Sequence, residues 1–342
     1  MEVRKQADAQ LAELIRNAPL ESAACNLCQG SDFAVLAQID GHGLPVKTVL
    51  CRRCGLVAIN PRPAKDWYAE YYRYMDGRRR VYKHGEANPK EAQGAGFDAA
   101  RRHGRALAAR LSAFIEPGLT IDVGSAEGGL LAGMQEIAPI EPIGIEPTVA
   151  RAEYATSRGI KTYAGLIEDV ATIAPDLPAA ANIVCTKSLN HLLDPQFFFR
   201  WAYDTLRPGG KLILEVKNFR QQARMSGRAH FAIQLDHPFM FTPENLGAFV
   251  RSAGFDVLHS EVDEEKSIAE RRLQRQTGLP IGHMRVAAIK ADRAPFAVLV
   301  LPPEGSVRAL ARDLSRFPLY LHYLTRYARI VTNMKQRIGF AV

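Results

Sequence analysis

No apolar stretch in the 342-residue sequence approaches the ~20 consecutive residues that a membrane-spanning helix requires. The first ten residues, Met1 to Gln10, carry charges of both signs and no apolar core, which argues against a secretory signal. Cysteine is scarce, five residues in all, and four of them fall in two close pairs. That usage points away from a disulfide framework and toward metal ligation in a reducing compartment, so a cytoplasmic protein is expected. The central part also lacks a basic stripe interleaved with aromatics, so a nucleic-acid groove is not favoured despite a net charge of +8. From Ser306 to Val342 seven basic residues stand against Asp313 alone, so most of the excess belongs to the tail. What remains, 47% hydrophobic and 23% charged residues, is the composition of a globular protein large enough to bury a substantial core.

The chain is organised around Gly118-Leu-Thr-Ile-Asp-Val-Gly-Ser-Ala-Glu-Gly-Gly-Leu130. Leu119 to Val123 are apolar or β-branched apart from Asp122, which reads as a buried strand. Gly124, Gly128 and Gly129 then let the backbone turn and approach a ligand closely, and the helix that follows points unpaired N–H groups into the turn. Ala126 stands where a nucleotide-binding turn is expected to have another glycine. Pro142-Ile-Gly-Ile-Glu146 is a second strand, ending in an acid 24 positions beyond Asp122. That is close to the ~20-residue offset at which a carboxylate accepts hydrogen bonds from a ribose diol. Spacing alone therefore specifies an adenosine-sized ligand.

Three motifs together carry a resemblance: Asp122-Val-Gly-Ser-Ala-Glu-Gly128, Gly144-Ile-Glu-Pro147 and Leu206-Arg-Pro-Gly-Gly-Lys-Leu-Ile-Leu214. Residues from about 97 to 291 resemble a class I S-adenosylmethionine-dependent methyltransferase, matching its Asp-x-Gly-x-Gly-x-Gly turn with the single departure at Ala126. The resemblance implies an α/β fold with a Rossmann-like seven-stranded sheet and S-adenosyl-L-methionine as cofactor. It implies cofactor contacts from Asp122, Gly124, Ser125, Ala126, Gly128 and Glu146, with Leu166 and Ile167 flanking the adenine and Thr186 and Lys187 ending the fourth strand. Further strands are expected at 160–163, 182–186, 211–216, 255–262 and 284–290, and 220–241 reads as an unusual loop carrying His230, Asp236 and His237.

Ahead of this region, Cys25-Asn-Leu-Cys28 and Cys51-Arg-Arg-Cys54-Gly are two hooks separated by 22 residues, on the ends of a hairpin with strands near 33–39 and 46–50. Such hooks can place the thiolates of Cys25, Cys28, Cys51 and Cys54 tetrahedrally around one structural zinc, with Gly55 relieving the second hook. Four buried free thiols are the bland alternative. His42 lies at the far end of the hairpin, where a solvent-exposed turn residue is expected. Zinc-ribbon segments ahead of this kind of domain resemble enzymes that modify sugars, natural products or cell-surface building blocks. The implied acceptor is a small molecule or glycan, such as a nucleotide- or lipid-linked sugar.

The expected organisation is an arm at 1–20, the zinc ribbon at 21–63, a helix and mobile segment at 64–96, the methyltransferase region at 97–291 and a basic amphipathic extension at 292–342. Aromatics at 67, 71 and 74 share a helical face, so Tyr71 is either core packing or, with Tyr72, a pocket residue. Arg78 to Arg80 read as a solvated run or a hold for an acidic substrate. In the tail, apolar positions from Leu310 to Ile338 step by threes and fours between arginines. That pattern suits packing on the protein itself or on a second subunit first, and a peripheral contact with the acidic inner membrane face as the alternative.

Methyl transfer needs alignment of donor and acceptor and, for a hydroxyl or carbon acid, a base. His191 and His237 both follow strand ends; His237, beside Asp236, is the first choice and His191 the second, and either can instead be a packing residue. An RNA methyltransferase is the rival enzyme, but strand four continues as Cys185-Thr-Lys-Ser rather than into the Asn/Asp-Pro-Pro-aromatic element of base amino methyltransferases. A non-catalytic docking protein on the same fold is the rival from another class.

Overall fold

The computed structural model describes residues 13–315 apart from 42, 69, 72–88, 227, 263–278, 280, 281 and 304. The sequence opens with short strands: β1 (Leu20–Glu21), β2 (Phe33–Ala37), β3 (Thr48–Cys51), β4 (Val57–Ile59) and β5 (Arg62–Pro63). β2 and β3 make the expected antiparallel hairpin, with Phe33 opposite Cys51. β4 folds back along β3 after the second cysteine hook, and β1 closes against β5.

The alternating pattern beyond residue 97 becomes a layered α/β unit. Its helices are α1 (Pro89–Arg110), α2 (Gly129–Gln135), α3 (Val149–Ser157), α4 (Val170–Ile173), α5 (Pro195–Thr205), α6 (Phe219–Ser226) and α7 (Pro243–Ser252), followed by α8 (Ser306–Ser315). Its strands are β6 (Gly118–Val123), β7 (Ile140–Glu146), β8 (Lys161–Ala164), β9 (Ala180–Thr186) and β10 (Leu206–Lys217), then β12 (Phe255–Val262) and β13 (His283–Lys290). The intervening β11 (Phe239–Met240) belongs to the N-terminal sheet, pairing antiparallel with β4. The large sheet is seven-stranded in the order β12-β13-β10-β9-β6-β7-β8, with β13 antiparallel to both its neighbours. Every residue of β9 is buried, as an interior parallel strand covered on both faces must be. The chain steps outward from β6 to β8 and returns to the other side of β6 as β9. That reversal opens a crevice at the carboxyl ends of β6 and β9.

Three segments depart from the expected outline. Where 76–96 reads as mobile, α1 already begins at Pro89; the remainder of that segment, with Arg78 to Arg80, lies outside the described residues. The helix survives Gly94 and Gly96 because α1 is clamped on α2: a Cβ at Gly104 would lie 2.0 Å from the Leu130 carbonyl oxygen. The expected loop at 220–241 is largely regular, as α6, a 3-10 turn at Ala229–Ala232 and β11. Its arginines find carboxylates, Arg220 with Glu244 at 2.7 Å and Arg224 with Asp313 at 3.0 Å. Pro208-Gly-Gly210 falls within β10 as an irregularity between Leu206 and Lys211 rather than before the strand.

One apolar core runs through both sheets, joining Leu27, Leu56 and the four N-terminal cysteines to Phe239, Phe241 and Phe249. A second cluster holds Trp67, Tyr68 and Tyr71 with Leu310 and Leu314 of α8. Tyr71 stacks on Trp67 at 5.1 Å and packs there, away from the crevice; Tyr72 and the third aromatic of that face lie outside the described residues. The apolar side of α8 is thus already covered by the protein's own chain. The tail from 316 on, the arm before 13 and His42 lie outside the described residues. Among the described residues no helix is long and apolar enough to cross a membrane.

Candidate active site

The crevice is a cavity of about 420 Å³. Its floor is the turn from β6 into α2. Gly124 takes φ +79°, and a Cβ there would lie 2.2 Å from Ser188 Oγ, so the turn sits hard against the segment after β9. Ala126 also adopts a left-handed conformation, φ +49°, and donates its N–H to Glu146 Oε2 at 2.9 Å. The Thr148 N–H donates to Glu146 Oε1 at 2.9 Å, so two backbone amides aim the acid at the end of β7. Gly128, at φ +79°, faces Ala155 and Ile160 at 3.0 and 3.1 Å and does not line the cavity. Its position serves the packing of α2 on α3 and β8.

The other residues expected at a cofactor come together. Asp122, Gly124, Ser125 and Ala126 line the floor, Glu146 one side, Leu166 and Ile167 the far end beyond β8, and Thr186 and Lys187 the opposite side. Asp122 is 2% exposed, and burial, reinforced by the charge of Glu146, pushes its carboxyl up to about 8. Burial also raises Glu146, against the opposing charge of Arg151 and the two amides. Asp122 Oδ1 and Ser125 Oγ are buried without a hydrogen-bond partner among the described residues. A cavity whose walls hold orphaned acceptors and a hydroxyl suits a ligand that brings its own donors.

The substrate-side candidates divide. His191 lines the cavity, and its Nδ1 lies 2.7 Å from the Asp236 carbonyl oxygen; a carbonyl only accepts, so Nδ1 carries the proton and the neutral ring has its lone pair on Nε2. Asp236 lines the cavity too, its carboxylate 4.0 Å from His191 Nδ1 and 3.9 Å from His237 Nε2. His237 is 4% exposed and sits behind, its ring edge-on to His191 at 4.5 Å, outside the cavity lining. The first choice of base is therefore one ring removed from the space where a substrate fits.

Sequence reading missed His103. One histidine within a long helix carries no signal, yet α1 brings it into the cavity wall, where its Nδ1 meets Lys187 Nζ at 3.3 Å.

The four N-terminal cysteines converge. Sγ of Cys25 and Cys54 are 3.4 Å apart, those of Cys28 and Cys51 3.5 Å, and all four lie within 4.8 Å of one another as free thiols. Tetrahedral thiolates at the ~2.3 Å Zn–S distance would be about 3.8 Å apart, so the residues fit a closed four-sulfur site. Each hook is closed by an amide, Gln29 N–H to the Cys25 carbonyl and Gly55 N–H to that of Cys51, both 2.8 Å. The first hook also reaches the large domain. Asn26 donates to Asp194 Oδ1 at 2.8 Å and accepts from the Gln196 N–H at 2.9 Å, at the start of α5.

Residues 97–260 match a family described as a methyltransferase domain. Among solved structures, S-adenosylmethionine-dependent methyltransferases are similar to the chain at low identity. That of Thermotoga maritima is 15% identical, covering 66% of this chain and 99% of its own, with a TM-score of 0.43. That of Mesorhizobium loti is 16% identical, covering 54% and 97%, with a TM-score of 0.42. That of Archaeoglobus fulgidus is 18% identical, covering 56% and 94%, with a TM-score of 0.43. No curated protein matches the sequence. The strand order, the turn after β6 and the matched segment lead to one conclusion: residues 97–260 form a methyltransferase domain of Rossmann-like α/β fold, with a four-cysteine module built on ahead of it.

Proposed function

We propose that the protein transfers a methyl group from S-adenosylmethionine to an oxygen or carbon atom of a small molecule or glycan, with a nucleotide- or lipid-linked sugar as the favoured acceptor. The observation that carries this reading is the cavity at the strand reversal, where Glu146 is aimed by two amides and Asp122 keeps an unpaired oxygen. Glu146 would hold the ribose hydroxyls, and Leu166 and Ile167 would flank the adenine. The bound cofactor supplies an electrophilic methyl group. His191, with Asp236 beside it and His237 behind, forms the wall that orients the acceptor. The four cysteines would hold a structural zinc, since a closed four-sulfur set leaves no position for a substrate. The acceptor class rests on the likeness of the N-terminal ribbon to those of sugar-modifying enzymes.

Incubation of the full zinc-loaded chain with methyl-labelled cofactor and a panel of sugar nucleotides and hydroxylated metabolites is the direct test. Label appearing in one acceptor class identifies the substrate; no transfer to any member sinks the acceptor reading. Glu146→Ala is expected to weaken S-adenosylhomocysteine binding by about 10- to 100-fold, the worth of one or two hydrogen bonds to a charged group, measurable by calorimetry.

A further inference from the structure

A buried chain of polar groups ends in the same cavity that His191 and Asp236 line. Lys187 follows β9 in a left-handed conformation, φ +57°, and its N–H is held on the Glu215 carbonyl oxygen at 2.6 Å. A non-glycine residue keeps that backbone only where its surroundings over-determine it. The side chain lines the cavity with Nζ 3.3 Å from His103 Nδ1. On the other edge of the ring, His103 Nε2 is 2.9 Å from Glu215 Oε1, a contact bent from ideal hydrogen-bond geometry. Glu215 is fully buried, and its other oxygen accepts from Arg285 Nε at 2.7 Å. Arg285, also fully buried, passes on to Glu261 at 2.8 Å.

The proton positions follow from the partners. A carboxylate only accepts, so with Glu215 Oε1 2.9 Å away the His103 tautomer that suits this site has its proton on Nε2 and its lone pair on Nδ1, toward Lys187. Lys187 then donates one N–H to His103. As a free amine it has a single lone pair of its own. Burial lowers the Lys187 pKa, with Arg285 adding to the fall and Glu215 opposing it. Burial works to raise Glu215, but His103 and the charges of Arg285 and His283 hold it at about 2, so the anchor stays ionised. The groups facing this chain are therefore His103 from α1, Glu215 from β10, and Arg285 and His283 from β13; Asp122, His191 and Asp236 share the cavity.

We infer that Lys187 Nζ is the base of the site, with His103 and Glu215 as its positioning residues. The inference rests on the methyltransferase reading. The acceptor's X–H bond breaks and its proton forms a new N–H bond on Nζ. The acceptor's electron pair bonds the methyl carbon, and the C–S pair stays on sulfur as the cofactor becomes S-adenosylhomocysteine. The new ammonium donates a charge-assisted hydrogen bond to His103, backed by the Glu215 carboxylate.

The test uses the full zinc-loaded chain. Trinitrobenzenesulfonate labelling, followed peptide by peptide by mass spectrometry across pH, is expected to give Lys187 a midpoint below the ordinary lysine range, with S-adenosylhomocysteine protecting it. His103→Ala should lower that midpoint further by removing the acceptor for the ammonium. Calorimetry in buffers of different ionisation enthalpy should find more proton release for the sulfonium S-adenosylmethionine than for neutral S-adenosylhomocysteine. Lys187→Met and Lys187→Arg should both bind and lose that difference. A Lys187 midpoint in the ordinary lysine range, or binding with equal proton release, overturns the assignment of Lys187 alone. No heat with either compound overturns the cofactor reading, and this assignment with it.

Discussion

At the scale of the residue, Asp122 combines a central position with an unfavourable state. Its ordinary value of 3.8 rises to about 8 in the folded protein, so from about pH 4 to pH 8 the unfolded chain has lost a proton that the folded chain keeps. Stability therefore falls as pH rises through that window, by at most about 1.4 kcal/mol per pH unit from this group. Asp122→Asn should flatten the dependence of urea-unfolding stability on pH between 5 and 8; an unchanged slope would show that another group sets it. Gly124→Ala meets a different obstacle. A left-handed alanine costs about 1–2 kcal/mol, and its Cβ would lie 2.2 Å from Ser188 Oγ, so a loss of at least about 2 kcal/mol and of cofactor binding is expected. Ala126 shows why one departure from the glycine pattern is tolerated: it takes the same left-handed region with its amide on Glu146. Pattern reading placed Asp122 and Glu146 because local periodicity and a fixed offset carry them. It placed His237 ahead of His191 because proximity to Asp236 along the chain says nothing of which ring faces the cavity.

At the scale of the element, the strands of the large sheet were legible because buried parallel strands are written as short apolar runs between glycines, prolines and helical periodicity. β11 was not: two residues can carry no period, and their pairing with β4 is a contact between positions far apart in sequence. α6 was hidden for a related reason. Its arginines pair with Glu244 and Asp313 from later elements, and the sequence alone offers them only as a polar run. Asn26 joins elements in the same way, bridging the first cysteine hook to the start of α5. Asn26→Ala should cost about 1–2 kcal/mol by urea unfolding, the loss of two partly buried hydrogen bonds. Replacement by Asp, which keeps only the acceptor for the Gln196 amide and sets a charge beside Asp194, should do no better. A cost under a few tenths of a kcal/mol would mean that the hook and the helix are not coupled.

At the scale of the whole molecule, the four-cysteine module and the large sheet share one core, so removal of a metal held by the thiols is expected to be felt well beyond them. Chelation under reducing conditions should release one zinc per chain and lower Tm by about 5 °C or more, as loss of several kcal/mol does in a protein of this size. Release of no metal from purified protein would leave the bland reading of four buried thiols standing. β11 gives the same continuity a practical edge. A version trimmed to begin after Pro63 would strip Phe239 and Met240 of the strand they pair with and uncover Phe241 beside them. Such a fragment should come out of cells as aggregate rather than as a smaller working enzyme, since the amputated piece is half of the wall on which Asp236 and His237 are hung.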